Sequence, residues 1–387
     1  MKALKSFLAA SVLISSPLLI SCGGGDDSPE VGGSTSDNIN ISPATVEDVE
    51  KYTSSLNAVK KSLSDIENVF GQFENSIHFI NEASVNNPKI IPYIYSIVKK
   101  SVSRHEQKGI YPQGQDSYSY TESCDEGSVY IDASWTNPNC TEIEAEECFK
   151  NNEFDVTLDF SNCKYSEVAY NGKVKAYVKI EDEELKNIEV SIDRLDIDYN
   201  SHHYSYKYSF SNFTLEANLP SQNLYNLRLD GEMYVEDKTN MDNIKISFFN
   251  MGLNLDILSR DYYGNPIEKK ATINGDMEFY KNNIKKFDIK TIDLAIYTDH
   301  SNSYETYRIN GYIYEGVCTD KWFKIETIQD IKMPSTHGCP TEGKIKINNS
   351  ITLEATSSGG IIIKDNIEEK FYESCEDLEN TTNTCSI

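Results

Sequence analysis

Residues 204–219 read Tyr-Ser-Tyr-Lys-Tyr-Ser-Phe-Ser-Asn-Phe-Thr-Leu-Glu-Ala-Asn-Leu, and residues 227–235 read Leu-Arg-Leu-Asp-Gly-Glu-Met-Tyr-Val. Tyr204, Tyr206, Tyr208 and Phe210 alternate with polar residues, which places them on one face of a strand. The alternation changes phase across Ser211-Asn212 and resumes at Phe213, Leu215, Ala217 and Leu219. One extra residue in a strand is a β-bulge. In the second stretch Leu227, Leu229, Gly231, Met233 and Val235 share a face. A tight turn at Asp230-Gly231 would instead set Leu229 opposite Glu232 and mix the faces. The glycine is therefore placed mid-strand on the apolar side, leaving room for a neighbouring ring or for a helix.

The same unit recurs along the chain. Bulged halves are Phe154–Phe160 then Cys163-Tyr165, Ile188–Ile192 then Leu195–Tyr199, Ile244–Phe248 then Met251–Ile257, Phe287-Ile289 then Ile292–Ile296, and more loosely Phe323-Ile325 then Ile328. Glycine-centred halves surround Gly172, Gly275 and Gly311. The alternating runs imply roughly 13–16 strands in a long antiparallel meander, since turns are short and no helical crossover intervenes. Regular bulges predict a curved sheet.

Upstream the period is helical. Val49, Tyr52, Leu56, Val59, Leu63, Ile66, Phe70, Phe73, Ile77 and Ile80 are spaced by alternating steps of three and four. Ser42-Pro43 supplies a cap and a first-turn proline, and Asn86-Asn87-Pro88 ends the region. A coiled-coil rod would share this spacing. Bulky Phe70 and Phe73 and the helix-weakening Gly71 favour packing on the protein's own sheet. A second helix is expected near Pro92–Arg104. The expected fold is mainly β with an N-terminal helical segment: a curved antiparallel meander of bulged strands packed on a long helix.

Lys2 and Lys5 precede an apolar run from Phe7 to Ile20 that is too short to span a bilayer. Leu19-Ile20-Ser21-Cys22-Gly23 follows. It resembles the lipobox of bacterial lipoproteins, whose cysteine is acylated and becomes the mature N-terminus. The resemblance implies lipidation of Cys22 and a membrane partner reached through the N-terminal lipid. Gly23 after the cysteine implies the outer membrane, with the body on its periplasmic or cell-surface face. Residues 1–21 are then the signal peptide, and 22–41, rich in Gly, Ser and Asp, a flexible tether. Residues 42–110 form the helical segment and 111–387 the β-rich repeat domain. The repeats resemble β-rich regions of uncharacterised Gram-negative exported lipoproteins, a resemblance that implies no activity.

Eight further cysteines, Cys124, Cys140, Cys148, Cys163, Cys318, Cys339, Cys375 and Cys385, are an even set in an exported chain and predict disulfides. If Ser128–Ser134 and Phe154–Phe160 form a hairpin, the nested pairs Cys124–Cys163 and Cys140–Cys148 share nearly one register. Cys318–Cys339 and Cys375–Cys385 complete the expected set. No Cys-x-x-Cys spacing points to zinc.

The chain has 387 residues and a formal charge of −25, from 36 Lys+Arg against 61 Asp+Glu. Such acidity argues against nucleic acid and against docking on an anionic membrane. No nucleophile motif, phosphate loop or cofactor signature is present, so no catalytic residue, metal or cofactor is assigned. His202-His203 with Asp196 or Asp198 is the nearest approach to a metal set, and Asp193, Asp196 and Asp198 lack the rest of a calcium loop. The stripes Tyr118-Tyr120, Tyr204–Tyr208 and Tyr312-Tyr314 are core packing on an inward face. On an outward face they would be a glycan-stacking platform. The expected function is a non-enzymatic, membrane-anchored envelope module that binds or scaffolds a protein or glycan partner. The alternative is a lipid or lipoprotein carrier with an apolar half-barrel trough. A transmembrane barrel also alternates, but the tether, paired cysteines and C-terminal Cys385-Ser386-Ile387 argue against it.

Overall fold

The computed structural model describes residues 39–53, 117–136, 152–181, 184–200, 205–221, 223–262, 266–299, 304–334 and 339–379. Within them lie sixteen strands: β1 (Ser117–Ser123), β2 (Glu126–Trp135), β3 (Asn152–Tyr165), β4 (Val168–Glu181), β5 (Glu184–Asn200), β6 (Ser205–Ser221), β7 (Leu224–Asp237), β8 (Asp242–Arg260), β9 (Pro266–Lys281), β10 (Ile284–Asp299), β11 (Tyr304–Glu315), β12 (Lys321–Pro334), β13 (Glu342–Ile347), β14 (Ile351–Ala355), β15 (Ile361–Lys364) and β16 (Glu369–Tyr372). They form one sheet in chain order. The chain divides into two compact units. Of the described residues, one holds 117–247 and the other 39–53 with 248–379.

In the first unit β2 and β3 form the hairpin that the cysteine spacing asks for, with Val129 opposite Phe160 and Ala133 opposite Val156. The apolar face is closed: Val129, Ile131, Phe154, Val156, Ile188, Tyr208 and Leu229 are all buried. Strands run straight through the Asn-Gly and Asp-Gly pairs. Gly172, for example, lies opposite Phe160 on β3 and Leu195 on β5. Pairing shifts register where the phase changes, between Phe160 and Cys163 and between Ser211 and Thr214. At these bulges Asn162 (φ 46°) and Asn212 (φ 47°) take the left-handed conformation that asparagine tolerates better than most residues.

The glycines serve the bulges rather than a ring or the helix. The extra residue pushes its carbonyl toward the neighbouring strand. A Cβ on Gly231 would lie 2.2 Å from the Asn212 carbonyl oxygen, and Gly231 itself has φ +107°. In the second unit Gly275 (φ +123°) stands in the same way 2.7 Å from the carbonyl oxygen of Asn250, whose own φ is 50°.

The second unit departs from expectation in β12. Phe323 and Ile325 are buried, Ile328 is exposed, and the apolar set resumes at Ile331. Between the pairs Tyr307–Ile331 and Asn310–Glu326, β12 carries two more residues than β11. A two-residue insertion keeps odd-numbered positions inward.

Two helices are described: α1 (residues 46–53), which lies on the apolar face of the second unit, and the short α2 (Cys375–Glu379), which follows β16. Val46, Val49 and Tyr52 are buried, and the Tyr52 ring sits 4.7 Å from that of Phe323. The rest of the predicted long helix, residues 54–80, and the second helix near 92–104 lie outside the described residues, as does the signal and tether region up to residue 38. Thr45, not Ser42, caps α1. Its backbone N–H and Oγ1 donate to Asp48 Oδ2 at 2.9 and 3.0 Å, and Asp48 N–H donates back to Thr45 Oγ1 at 3.2 Å. Two carboxylates then latch the helix. Asp48 accepts from Lys321 Nζ at 2.9 and 2.8 Å. Glu50, only 8 % exposed, accepts from Lys370 Nζ at 3.0 and 3.2 Å and from the Tyr372 hydroxyl.

Two outcomes test this account. Gly231→Ala should cost roughly 3 kcal/mol in urea unfolding, because the backbone strain and the carbonyl clash act together, whereas Asn212→Gly should stay within about 1 kcal/mol. A silent Gly231→Ala would refute the bulge contact. Lys370→Met should cost about 1.5–3 kcal/mol by leaving buried Glu50 without its cation and with the Tyr372 hydroxyl as its remaining side-chain donor. Burial works to raise the Asp48 carboxyl, but Lys321 and Thr45 outweigh it and hold it below its ordinary value of 3.8. Its contribution is therefore complete above that value and lost as pH falls below it. The stability gap between wild type and Asp48→Asn should close in acid.

Candidate functional site

The structure sorts the tyrosine stripes by face. Tyr118 and Tyr120 oppose buried Ala133 and Ile131, and Tyr208 opposes Ile197 and Val235. Tyr206 shares that inward face; Tyr204 lies outside the described residues. Tyr312 and Tyr314 flank buried Ile313 and so occupy the opposite face of β11. There the register gathers a patch across four strands. Asp288 lies opposite Glu278 on β9 and Tyr314 on β11, and Lys290 opposite Tyr312. Across from β11, Tyr314 meets Trp322 and Tyr312 meets Lys324. This outward face of β9–β12 is the candidate site.

Its rings are held in place. Tyr314 and Trp322 have centroids 5.6 Å apart, tilted by 48°. Lys290 Nζ stands 5.9 Å from the Trp322 ring and Lys285 Nζ 5.6 Å from the Tyr280 ring. The Tyr314 hydroxyl donates to Asp320 in the β11–β12 turn, and the Tyr280 hydroxyl donates to Glu278 at 2.8 Å. Lys285 Nζ bridges Glu278 at 2.6 Å and Asp288 at 2.9 Å.

The charges follow from these contacts. Burial alone would lower Lys285, but its bonds to Glu278 and Asp288 hold it well above the lysine range. Burial would raise Glu278, and the donors Lys285 and Tyr280 bring it below its ordinary value instead. At Asp288, 3 % exposed, burial wins over Lys285 and the carboxyl is raised. Both carboxylates are thus committed to Lys285. What the face offers a ligand is ring surface and ammonium donors. Sequence alone flagged Tyr312 and Tyr314. Trp322, Tyr280 and Lys285 join them only through strand register.

The other candidates divide as follows. Asp196 accepts from Ser209 Oγ at 2.6 Å and from Arg194 at 3.2 and 3.0 Å, with Lys207 at 3.6 Å. Burial opposes ionisation there, but these partners lower the carboxyl. His202 and His203 lie outside the described residues. Among the described residues no three metal-ligating side chains converge.

Cys124 and Cys163 are bonded, with Cα atoms 5.4 Å apart. Cys339 is bonded to Cys375, also at 5.4 Å, and not to Cys318. This corrects both expected C-terminal pairs, Cys318–Cys339 and Cys375–Cys385. The 14 residues of β12 span roughly 45 Å. Cys318 precedes β12 and Cys339 follows it, so they fall at opposite rims. Cys375 follows β16 at the same rim as Cys339. Cys318 is itself in a disulfide. Cys22, Cys140, Cys148 and Cys385 lie outside the described residues.

Comparison with known proteins finds no matching family model, no matching curated protein and no matching solved structure.

The bond to Asp320, with burial adding to it, pushes Tyr314 up to about 12. The neutral phenol is thereby favoured in the folded state, and its contribution is lost as pH rises from the ordinary tyrosine value of 10. Difference titration of wild type against Tyr314→Phe, followed by tyrosinate absorbance, should place this group near 12. In Asp320→Asn it should move toward 10.

Proposed function

We propose that this protein is a non-enzymatic outer-membrane lipoprotein, anchored through acylated Cys22, that binds a glycan on the outward face of β9–β12. The observation that carries the binding reading is the outward aromatic cluster of β11 and β12, Tyr312 and Tyr314 with Trp322. Tyr208 of the β6 stripe is instead buried in the core. Flat rings held on a rigid sheet suit sugar faces, and Lys290 and Lys324 beside them suit hydroxyl or acidic sugar oxygens. The anchor reading rests on the lipobox Leu19–Cys22.

The carrier alternative needs an apolar trough open to an acyl chain. A void of that size leaves its walls accessible to a water-sized sphere. In the first unit Val129, Ile131 and Phe154, and in the second Phe287, Ile289, Leu294 and Phe323, are instead 0–4 % exposed. That closure favours binding through the polar face.

Trp135 and Trp322 are the chain's two tryptophans, and Trp135 is buried, so ligand contact is readable in Trp322 fluorescence. Envelope polysaccharide should change Trp322 emission, and Trp322→Ala or Tyr312→Ala should weaken binding about tenfold. Unchanged affinity in both variants would remove the platform. Stoichiometric acyl ligand in native mass spectrometry of the purified protein would favour the carrier.

A further inference from the structure

In an antiparallel meander successive turns alternate between two rims. In the second unit one rim carries the turns at residues 282–283, 316–320, 348–350 and 365–368. The other carries the turn after β8, with Tyr262, and Cys339. The N-terminal segment enters at the first rim. Asn348 Nδ2 donates to the Ser42 carbonyl at 2.9 Å, and from there α1 runs inward past Lys321. Ser42, near the start of the described N-terminal segment, therefore lies at this rim.

The same rim exposes two aliphatic side chains where turns ordinarily carry polar ones. Ile284, directly after Asn282-Asn283, is 59 % exposed, and Ile367, between β15 and β16, is 96 % exposed. Neither packs in the core, and each projects from the end of a hairpin. At these turns Lys281, Lys285, Lys286, Lys321, Lys364 and Lys370 stand against Glu315, Asp320, Asp365, Glu368 and Glu369, with Asp48 and Glu50 of α1 held by Lys321 and Lys370. The rim is thus near neutral in a chain of net charge −25, and the repulsion that disfavours the whole chain on a membrane is absent here.

We infer that this rim rests on the bilayer that holds the anchor, with Ile284 and Ile367 as shallow insertions. The inference depends on the reading of Cys22 as acylated. Twenty residues of Gly/Ser-rich chain span on the order of 25 Å, which holds the rim at the surface. Two aliphatic tips bury too little area to bind a membrane alone, but suffice to orient a body already tethered there.

The test uses the full-length protein isolated from its membranes and reconstituted in phosphatidylethanolamine–phosphatidylcholine vesicles bearing brominated acyl chains. Three variants, each built on Trp322→Phe so that the native rim tryptophan is silent, carry a reporter: Ile284→Trp, Ile367→Trp and, on the opposite rim, Tyr262→Trp. The N-terminal peptide of each preparation is weighed for acyl chains. Emission from positions 284 and 367 should shift to the blue and be quenched by the bromolipid, while position 262 is unaffected. Ile284→Glu with Ile367→Glu should leave the acylated protein anchored but raise accessibility of the rim to added protease. An acylated protein with no quenching at 284 and 367, or equal quenching at 262, overturns the rim inference alone. An N-terminal peptide without acyl chains overturns the anchor and the rim together.

Discussion

The contact on which the sheet depends is between backbones. A bulge adds one residue to a strand and turns a carbonyl toward the next strand. That strand accommodates it only where it has no Cβ. Gly231 beneath the Asn212 carbonyl and Gly275 beneath that of Asn250 are the same solution in two units. The asparagine and the glycine are complementary. One bends left-handed so that the chain can absorb an extra residue, and the other opens the space the bend requires. Sidedness follows from this pairing. Each bulge reverses which positions face inward, so the apolar sequence must change phase at the same residue or bury its polar set.

That constraint decides which side chains become available. On β11 the odd positions Tyr307, Ile309 and Ile313 face the core, and Tyr312 and Tyr314 are sent outward. On β6 the even Tyr206 and Tyr208 are sent inward. Identical residue types at identical spacing thus take opposite roles, packing in one strand and a surface in another. The surface is then tightened by charge. Lys285 holds Glu278 and Asp288, and Asp320 holds Tyr314, so the rings sit on a face with little rotational freedom left to lose on binding.

The N-terminal segment adds a second kind of constraint. Its apolar stripe is buried by the sheet, but its position along the sheet is fixed by Asp48 on Lys321 and Glu50 on Lys370 and Tyr372. Hydrophobic burial is non-directional, whereas paired charges at defined strand positions are not. The point at which the described N-terminal segment meets the sheet is therefore tied to one rim.

Alternation, phase change and Asn-Gly placement are local properties, because a strand's two faces are set by a period of two in the chain itself. These bracketed the strand number, whose upper bound of about 16 meets the sixteen described strands, and gave antiparallel order, mid-strand glycines and the hairpin that brings Cys124 to Cys163. The helical stripe likewise announced α1, through Val49 and Tyr52. What lay beyond the sequence was whatever depends on the neighbouring strand. The two-residue insertion in β12 displaces the apolar set from Ile328 to Ile331, and no spacing within β12 reveals it, since the count is made against β11. The bond from Cys339 to Cys375 follows from which rim each occupies after an intervening run of strands. Trp322 joins Tyr314 only because a five-residue turn sets their register. Sequence determines the face a residue takes within its own strand wherever the alternation is unbroken; tertiary structure decides what stands across from it, and at Ile328 the face itself, because register is a relation between two strands and is recorded in neither alone.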